Sequence, residues 1–189
     1  MIILASQSPR RKELMKKYLS SSFLIEPSDI DESKFLSGGP IEASQATAKA
    51  KGEYIFKKHL DDVVISADTI VVIDNQILGK PVDVNDAINM LSLLSGRSHE
   101  VITSYYIINK DHQYLNSEVS KVTFKKLDRK IIEQYIKEYP PLDKAGSYGI
   151  QDPYFKEYIL DSYEGSLTNI IGLPVEKIIE VLRDFSIIS

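Results

Sequence analysis

Cysteine is absent from the 189-residue chain, which excludes disulfides, thiolate chemistry and cysteine-based zinc sites, and fits a cytoplasmic protein. Histidine is scarce: only His59, His99 and His112 are present, and their spacing matches no His-rich metal motif. Positive charge is also in deficit, with a formal net charge of -4. No global basic field exists to hold nucleic acid or an anionic membrane surface, so a polyanionic ligand needs a local basic site. Long apolar runs are missing. The best spanning candidate, "VVISADTIVVI", is broken by Asp68 and falls well short of the roughly 20 apolar residues of a membrane helix. "MIILA" is too short for a signal-peptide core, and its arginines follow the apolar run instead of preceding it. Neither an export signal nor a membrane segment is expected. The chain lacks a G-x-x-x-x-G-K-[ST] loop, a G-x-G-x-x-G turn after a strand and a G-x-S-x-G elbow. This removes the commonest NTPase, dinucleotide and serine-hydrolase readings.

What is present is an ordinary globular composition, 43% hydrophobic and 26% charged, enough for one substantial core. No repeat, low-complexity tract or long Pro/Gly/Ser linker occurs, so residues 1–189 are expected to form a single domain, at most with two lobes around a cleft. Ile2 to Ala5 reads as a buried strand, and Ser8 followed by Pro9 as the cap and first residue of a helix to about Leu19. Phe23 to Glu26 is a second short strand, Asp29 to Gly39 a polar loop. Gly38 to Pro40 reads as a helix start, opening a helix to about Leu60 with Ala43, Ala46, Ala50 and Tyr54 on one face. Val63 to Ile73 is β-branched and turns at Asp74 and Asn75 towards Ile77 and Leu78, a hairpin pattern. Asp83 caps a helix to about Leu94, ended by Gly96. Val101 to Ile108 and Glu118 to Phe124 read as strands, and Asp128 caps a helix through Glu138, closed by Pro140 and Pro141. An irregular glycine-rich stretch follows, until Pro174 opens a last amphipathic helix to about Phe185. Without a strict βαβ rhythm, the fold class is mixed α/β.

Several stretches are suited to chemistry. In "SQSPRR", Ser8 caps a helix whose free N–H groups and macrodipole favour an anion. Arg10 and Arg11 lie in that first turn, the wrong helix end for cations, which is explained either by a bound anion or by plain solvation. In "SADTIVV", Asp68 interrupts an apolar strand; such a carboxylate is exposed at a cleft, paired, or on a metal, or else an edge-strand residue facing water. Glu32 sits in a polar loop, a solvated charge by default, yet with Asp68 it offers hard oxygen ligands to a divalent cation. Lys80 is held between glycine and proline in "LGKP", and Lys49 stands among alanines in "ATAKA"; both read singly as surface lysines. His99, in "SGRSHEV", is structural by default. "PPLDKAGSYGIQ" is a loop dense in Gly and Pro that carries Asp143, Lys144, Tyr148 and Gln151 as candidate recognition residues. The Gln151 amide offers both a donor and an acceptor to a base edge.

Taken in order, "LASQSPRRKEL", "SADTIVV", "LGKP", "LSGRSHEVIT", "YPPLDKAGSYGIQ" and "EGSLTNIIGLPVE" resemble the Maf family of nucleoside triphosphate pyrophosphatases along almost the whole chain. The resemblance implies a mixed α/β fold with a cleft between two lobes, related to the inosine triphosphatase architecture. It also implies hydrolysis of a nucleoside triphosphate to the monophosphate and pyrophosphate, with Mg2+ or Mn2+, and a homodimer. By the same resemblance Asp68 is the proton acceptor, and Arg10 and Arg11 meet the phosphates on a loop shaped by Ser6 and Ser8. Lys49 matches the lysine of an A-x-x-K-A pattern and Lys80 that of G-K-P, both at the substrate, and Glu32 lies near the metal or phosphates. Arg10, Thr69 and Gln151 match the branch acting on dTTP and UTP, whereas the 7-methyl-GTP branch has glutamate where Gln151 stands. One stretch departs from the pattern: "DPYFKEYILDSYEGS" places Asp152 and Pro153 where the family usually has a Gly-rich turn. A different class of function, a nucleotide-binding regulator of cell division or septum formation with weak hydrolysis, is the alternative that this departure supports. A third reading, inosine triphosphate hydrolysis, rests on fold analogy alone.

Overall fold

The computed structural model describes every residue, Met1–Ser189. Strand β1 (Ile2–Leu4) leads into helix α1 (Pro9–Tyr18) and strand β2 (Phe23–Ile25), followed by a 3-10 turn at Glu32–Phe35 and helix α2 (Pro40–Phe56). A hairpin of β3 (Val63–Ile73) and β4 (Gln76–Leu78) precedes α3 (Val84–Leu94), β5 (Ser98–Ile108), β6 (Gln113–Phe124) and α4 (Arg129–Glu138). The chain ends with α5 (Pro153–Tyr158), β7 (Leu160–Glu164), α6 (Leu167–Ile171) and α7 (Val175–Asp184). The seven strands form one mixed sheet in the order β2-β1-β3-β5-β6-β7, with β4 on β3. β1 pairs in parallel with β2 and with β3 (Ile2 opposite Phe23 and Val63), while β4 and β7 pair antiparallel with β3 and β6. No helix is long and apolar enough to cross a membrane.

Local chemistry accounts for most of these boundaries. Ser8 Oγ accepts from the Arg11 N–H and Pro9 fills the first helical position of α1, where a missing N–H is harmless. Asp74 and Asn75 both have positive φ, 51° and 61°, the two left-handed residues that a tight β3–β4 hairpin turn requires. α2 stops at Phe56 instead of Leu60 because the backbone tightens: the Lys58 and His59 N–H groups donate to the Ile55 and Phe56 carbonyls. β5 and β6 begin earlier than expected. The polar turn between them is fixed by Asn109, whose Oδ1 accepts from the Asp111 and His112 N–H groups. The stretch expected to be irregular holds α5, β7 and α6. β7 is exposed along nearly its whole length, so it carries no apolar alternation to reveal it.

Two compact units emerge from the contacts. The first comprises Met1–Asp68, Thr103–Glu118 and Leu167–Ser189, the second Thr69–Ile102 and Val119–Ser166. In the first, alternation along β1 sends Ile2 and Leu4 into a cluster with Leu14 and Met15 of α1 and Ile178 and Leu182 of α7, and Ile3 into another with Val64 and Ile55 of α2. The core of the second is aromatic. Tyr148 stacks on Phe155 at 4.7 Å, and both meet Phe124 edge-on.

Candidate active site

The chain leaves β1 through Ala5 and Ser6, both buried. Ser6 Oγ accepts from the Ser8 N–H at 3.1 Å, which braces the loop one step before Ser8 itself caps α1. The first turn of α1 therefore starts from a rigid corner, and Arg10 and Arg11 project from it half-buried. Arg11 Nε donates to the Gly172 carbonyl at 2.7 Å, tying that turn to the junction of α6 and α7. Burial, opposed by the nearby Asp68 carboxylate and reinforced by Arg10, pulls the Arg11 pKa down. A guanidinium nevertheless remains charged, so a half-buried cation stands here.

α2 brings the second cation. Its buried stripe runs through Ala43, Ser44, Thr47, Ala48, Lys51, Gly52 and Ile55, so of the face expected at Ala43, Ala46, Ala50 and Tyr54 only Ala43 is buried and the rest is half-buried. Gly52 permits this contact. A Cβ there would stand 2.6 Å from both Ser66 Oγ and Tyr106 Cδ1, so the helix backbone lies directly on the sheet. Ser66 Oγ donates to the Ala48 carbonyl at 2.6 Å and Ser44 Oγ to the Asp68 carbonyl at 3.3 Å. Lys51 thus reaches the C-terminal side of the same strand segment. Its Nζ lies 2.9 Å from Glu32 Oε1, 3.6 Å from Asp68 Oδ1 and 3.4 Å from the Ala67 carbonyl. Lys49, the lysine expected at the substrate, is instead 46% exposed and lies 3.7 Å from Glu53 Oε1. Residues two apart on a helix face opposite sides, so a frame displaced by two positions in "ATAKAKG" exchanges a buried lysine for a surface one. Sequence reasoning missed Lys51, because Ser44, Thr47 and Lys51 read as a polar face; Gly52 is the residue that marks that face as the inner one.

Asp68 is the last β3 residue of the first unit. The reading of it as an edge-strand residue facing water does not hold, because its side chain is only 13% exposed. Burial raises its pKa, against the attraction of Lys51 and then of Arg11, and Glu32 raises it further. Glu32, capped into its 3-10 turn by Asp31, is 49% exposed. The first unit therefore gathers Arg11, Glu32, Lys51 and Asp68, with Arg10 in the same helical turn as Arg11 and Ser6 and Ser8 on the loop before it. No group of three or more potential metal-ligating side chains occurs.

The second unit holds Thr69, Lys80, Lys144 and Gln151. Lys80 and Gln151 are exposed. The Gly79 carbonyl beside Lys80 accepts from the Gly146 N–H at 3.1 Å, so the "LGKP" turn and the "DKAGSYGIQ" loop are joined. Gly146 has φ +68° and lies against Val71, where a Cβ would approach Cγ2 to 2.7 Å, hence glycine. Lys144 Nζ donates to the Pro140 carbonyl and to Asp143 Oδ1. His99 is structural, as its default reading has it: it is buried, 2.6 Å from the Tyr148 hydroxyl, and burial lowers its pKa to about 4.

A model of the family described as Maf-like protein matches residues 1–185. A protein from Acholeplasma laidlawii named dTTP/UTP pyrophosphatase is 41% identical over 189 residues, covering 100% of this chain and 98% of its own length. A protein of the same name from Pyrococcus furiosus is 41% identical over 182 residues, 96% of this chain and 94% of its own. One from Clostridioides difficile is 40% identical over 186 residues, covering 97% and 94%. Among solved structures, a HAM1 protein from Coxiella burnetii superposes with a TM-score of 0.54 over 97% of this chain and 98% of its own, at 16% identity; this is a likeness of fold.

Proposed function

The chain belongs to the Maf family, and we propose that it is a nucleoside triphosphate pyrophosphatase that converts dTTP and UTP to their monophosphates and pyrophosphate. The observation that carries this reading is the meeting of Asp68, Lys51, Glu32 and Arg11 in the first unit, together with full-length relatives at about 40% identity that bear that activity in their names.

A triphosphate carries about four negative charges near neutral pH, and attack by water at its α-phosphorus brings an anion against an anion. Arg10, Arg11 and Lys51 supply local positive charge that the acidic chain lacks overall, and Lys80 and Lys144 supply it in the second unit. Asp68 accepts the proton of the attacking water as its oxygen bonds to the α-phosphorus. The bond from that phosphorus to the bridging oxygen then breaks, and pyrophosphate leaves. A carboxylate whose pKa is raised by burial is a better base for this than an exposed one. Ser6 and Ser8 keep the arginine turn in place. Glu32 and Asp68 are hard oxygen donors whose joint negative charge exceeds the single ammonium of Lys51 between them. With one or two carboxylates and the substrate's own phosphates, such a set suits Mg2+ or Mn2+. The cation, when bound, shields the phosphate charge and lowers the pKa of water. Thr69 and Gln151 are assigned to the nucleoside, the Gln151 amide pairing with a pyrimidine edge.

The experiment is a panel of canonical, inosine, xanthosine and modified nucleoside triphosphates with Mg2+ or Mn2+, read as pyrophosphate release, with a chelator control. dTTP and UTP turnover above the purines, abolished by the chelator, is expected. Binding without release would favour the regulator reading, and ITP or XTP turnover above UTP the inosine triphosphatase one.

A further inference from the structure

Tyr135 is wholly buried on α4, and the reaction itself gives a phenol no task there. Its hydroxyl donates to Asp152 Oδ2 at 2.5 Å and accepts from the Gly149 N–H at 2.9 Å. Those two partners are the ends of one turn, since the Asp152 N–H donates to the Gly149 carbonyl at 3.1 Å. Between them Ile150 is buried and Gln151 exposed. A phenol has one proton to give and lone pairs to receive with, so a single oxygen holds both ends of the turn that bears Gln151.

The surroundings leave that turn little freedom. A Cβ on Gly149 would stand 3.0 Å from Asp152 Oδ2 and 3.2 Å from Lys144 Cε, so the backbone is packed against both side chains. The preceding residue, Tyr148, is fixed by His99 and by stacking on Phe155. Asp152 occupies the N-cap position of α5 but makes no capping bond with its side chain; its carboxylate is committed to Tyr135. The 2.5 Å separation is that of a charge-assisted O–H to carboxylate bond. Burial first, and then the Asp152 bond, raise the Tyr135 pKa, so the phenol keeps its proton.

We infer that Tyr135 and Asp152 are a positioning pair that fixes the Gln151 turn through one shared hydroxyl and thereby sets how tightly the pyrimidine base is held. The inference rests on the reading of Gln151 as the base-recognition residue. A side chain ordered before the ligand arrives loses less conformational freedom on binding, and the gain falls on the base alone, not on the triphosphate.

The test is calorimetric binding of α,β-methylene-UTP, in which the scissile bridge is blocked, and of tripolyphosphate, which has no base, both with Mg2+. Tyr135→Phe keeps the buried ring, and Asp152→Ala changes a half-buried residue, so one reports even where the other folds poorly. Each is expected to weaken the UTP analogue roughly tenfold while leaving tripolyphosphate within about twofold. Asp152→Asn retains an acceptor for the phenol and recovers most of the affinity. Gln151→Ala is itself weakened, and adding Tyr135→Phe to it costs nothing more. Equal losses for both ligands, or a full further loss on the Gln151→Ala background, overturn the inference. Wild-type affinity in Gln151→Ala overturns the assignment of Gln151 and the inference with it, and is told apart because the single Gln151 variant shows it alone.

Discussion

Replacing Lys51 by methionine keeps the length of the stem and removes the ammonium that faces two carboxylates. At 3.6 Å from Asp68 Oδ1, the attraction lost is about 5 kcal/mol at an effective dielectric of 20. The buried ammonium's own desolvation is lost with it, and removing one partner of a buried pair leaves a net deficit of about 3–5 kcal/mol at neutral pH, or roughly 6–20 °C in the thermal midpoint of a chain this long. The sign with pH follows from the direction of the Asp68 shift. Its folded pKa lies above the unfolded value because of burial, so the folded state binds more protons and stability falls as pH rises past the ordinary carboxylate range. Without Lys51 that pKa rises further, and the decline steepens. In chelator-treated, nucleotide-free protein, Lys51→Met is therefore expected to match wild type in thermal midpoint near the acid end of its folded range and to fall progressively behind towards pH 8. Scanning calorimetry of both proteins across that range is the assay. A deficit that is constant with pH would mean lost packing instead of lost charge pairing, and no deficit at all would remove Lys51 from the cluster.

Asp68→Asn is expected to lower turnover about 10²- to 10⁴-fold while its thermal midpoint at pH 8 holds or rises, because a neutral amide avoids the buried charge; pyrophosphate release near the wild-type rate would sink the general-base role. Lys49→Ala, by contrast, removes an exposed ion pair with Glu53 worth under about 1 kcal/mol. Its kcat/KM is expected to stay near wild type, and a large loss would return Lys49 to the phosphates in place of Lys51. Gly52→Ala forces a Cβ to 2.6 Å from Ser66 Oγ and Tyr106, which lifts α2 and costs about 1–3 kcal/mol. Turnover should drop with the midpoint, and a variant that loses stability but keeps full kcat would show that the seating of Lys51 is unimportant.

The fold was legible where a residue's local chemistry decides its conformation. Ser8 and Pro9, Asp74 and Asn75, and the caps Asp83 and Asp128 each solve a backbone problem visible in a few residues, and the structure places all of them as expected. Legibility failed where pairing partners are distant. β7 is exposed and held by register with β6, Lys121 opposite Glu164, and nothing within "LDSYE" announces that. The candidate site divides in the same way. Asp68 is conspicuous because a charge interrupts an apolar strand, whereas Lys51 is hidden on a stripe with Ser44, Thr47 and Gly52 that looks like a polar face. Only Gly52, with room for no side chain against Ser66 and Tyr106, explains why that face is the inner one.

The charges around Asp68 are not arranged as a stabilising network would be. Two cations within reach of one carboxylate ordinarily depress its pKa, yet Asp68 moves the other way because burial outweighs Lys51 and Arg11. Arg11 is itself strained in the same sense, its pKa lowered by burial at a helix end that already disfavours a cation. Each placement costs stability taken alone, and an acidic chain with few positive charges to spare sets them together. Local rules broken together in one spot are what the proposed site for a charged ligand would require. That argument needs only the buried charges, so it stands whichever nucleotide the Gln151 turn selects.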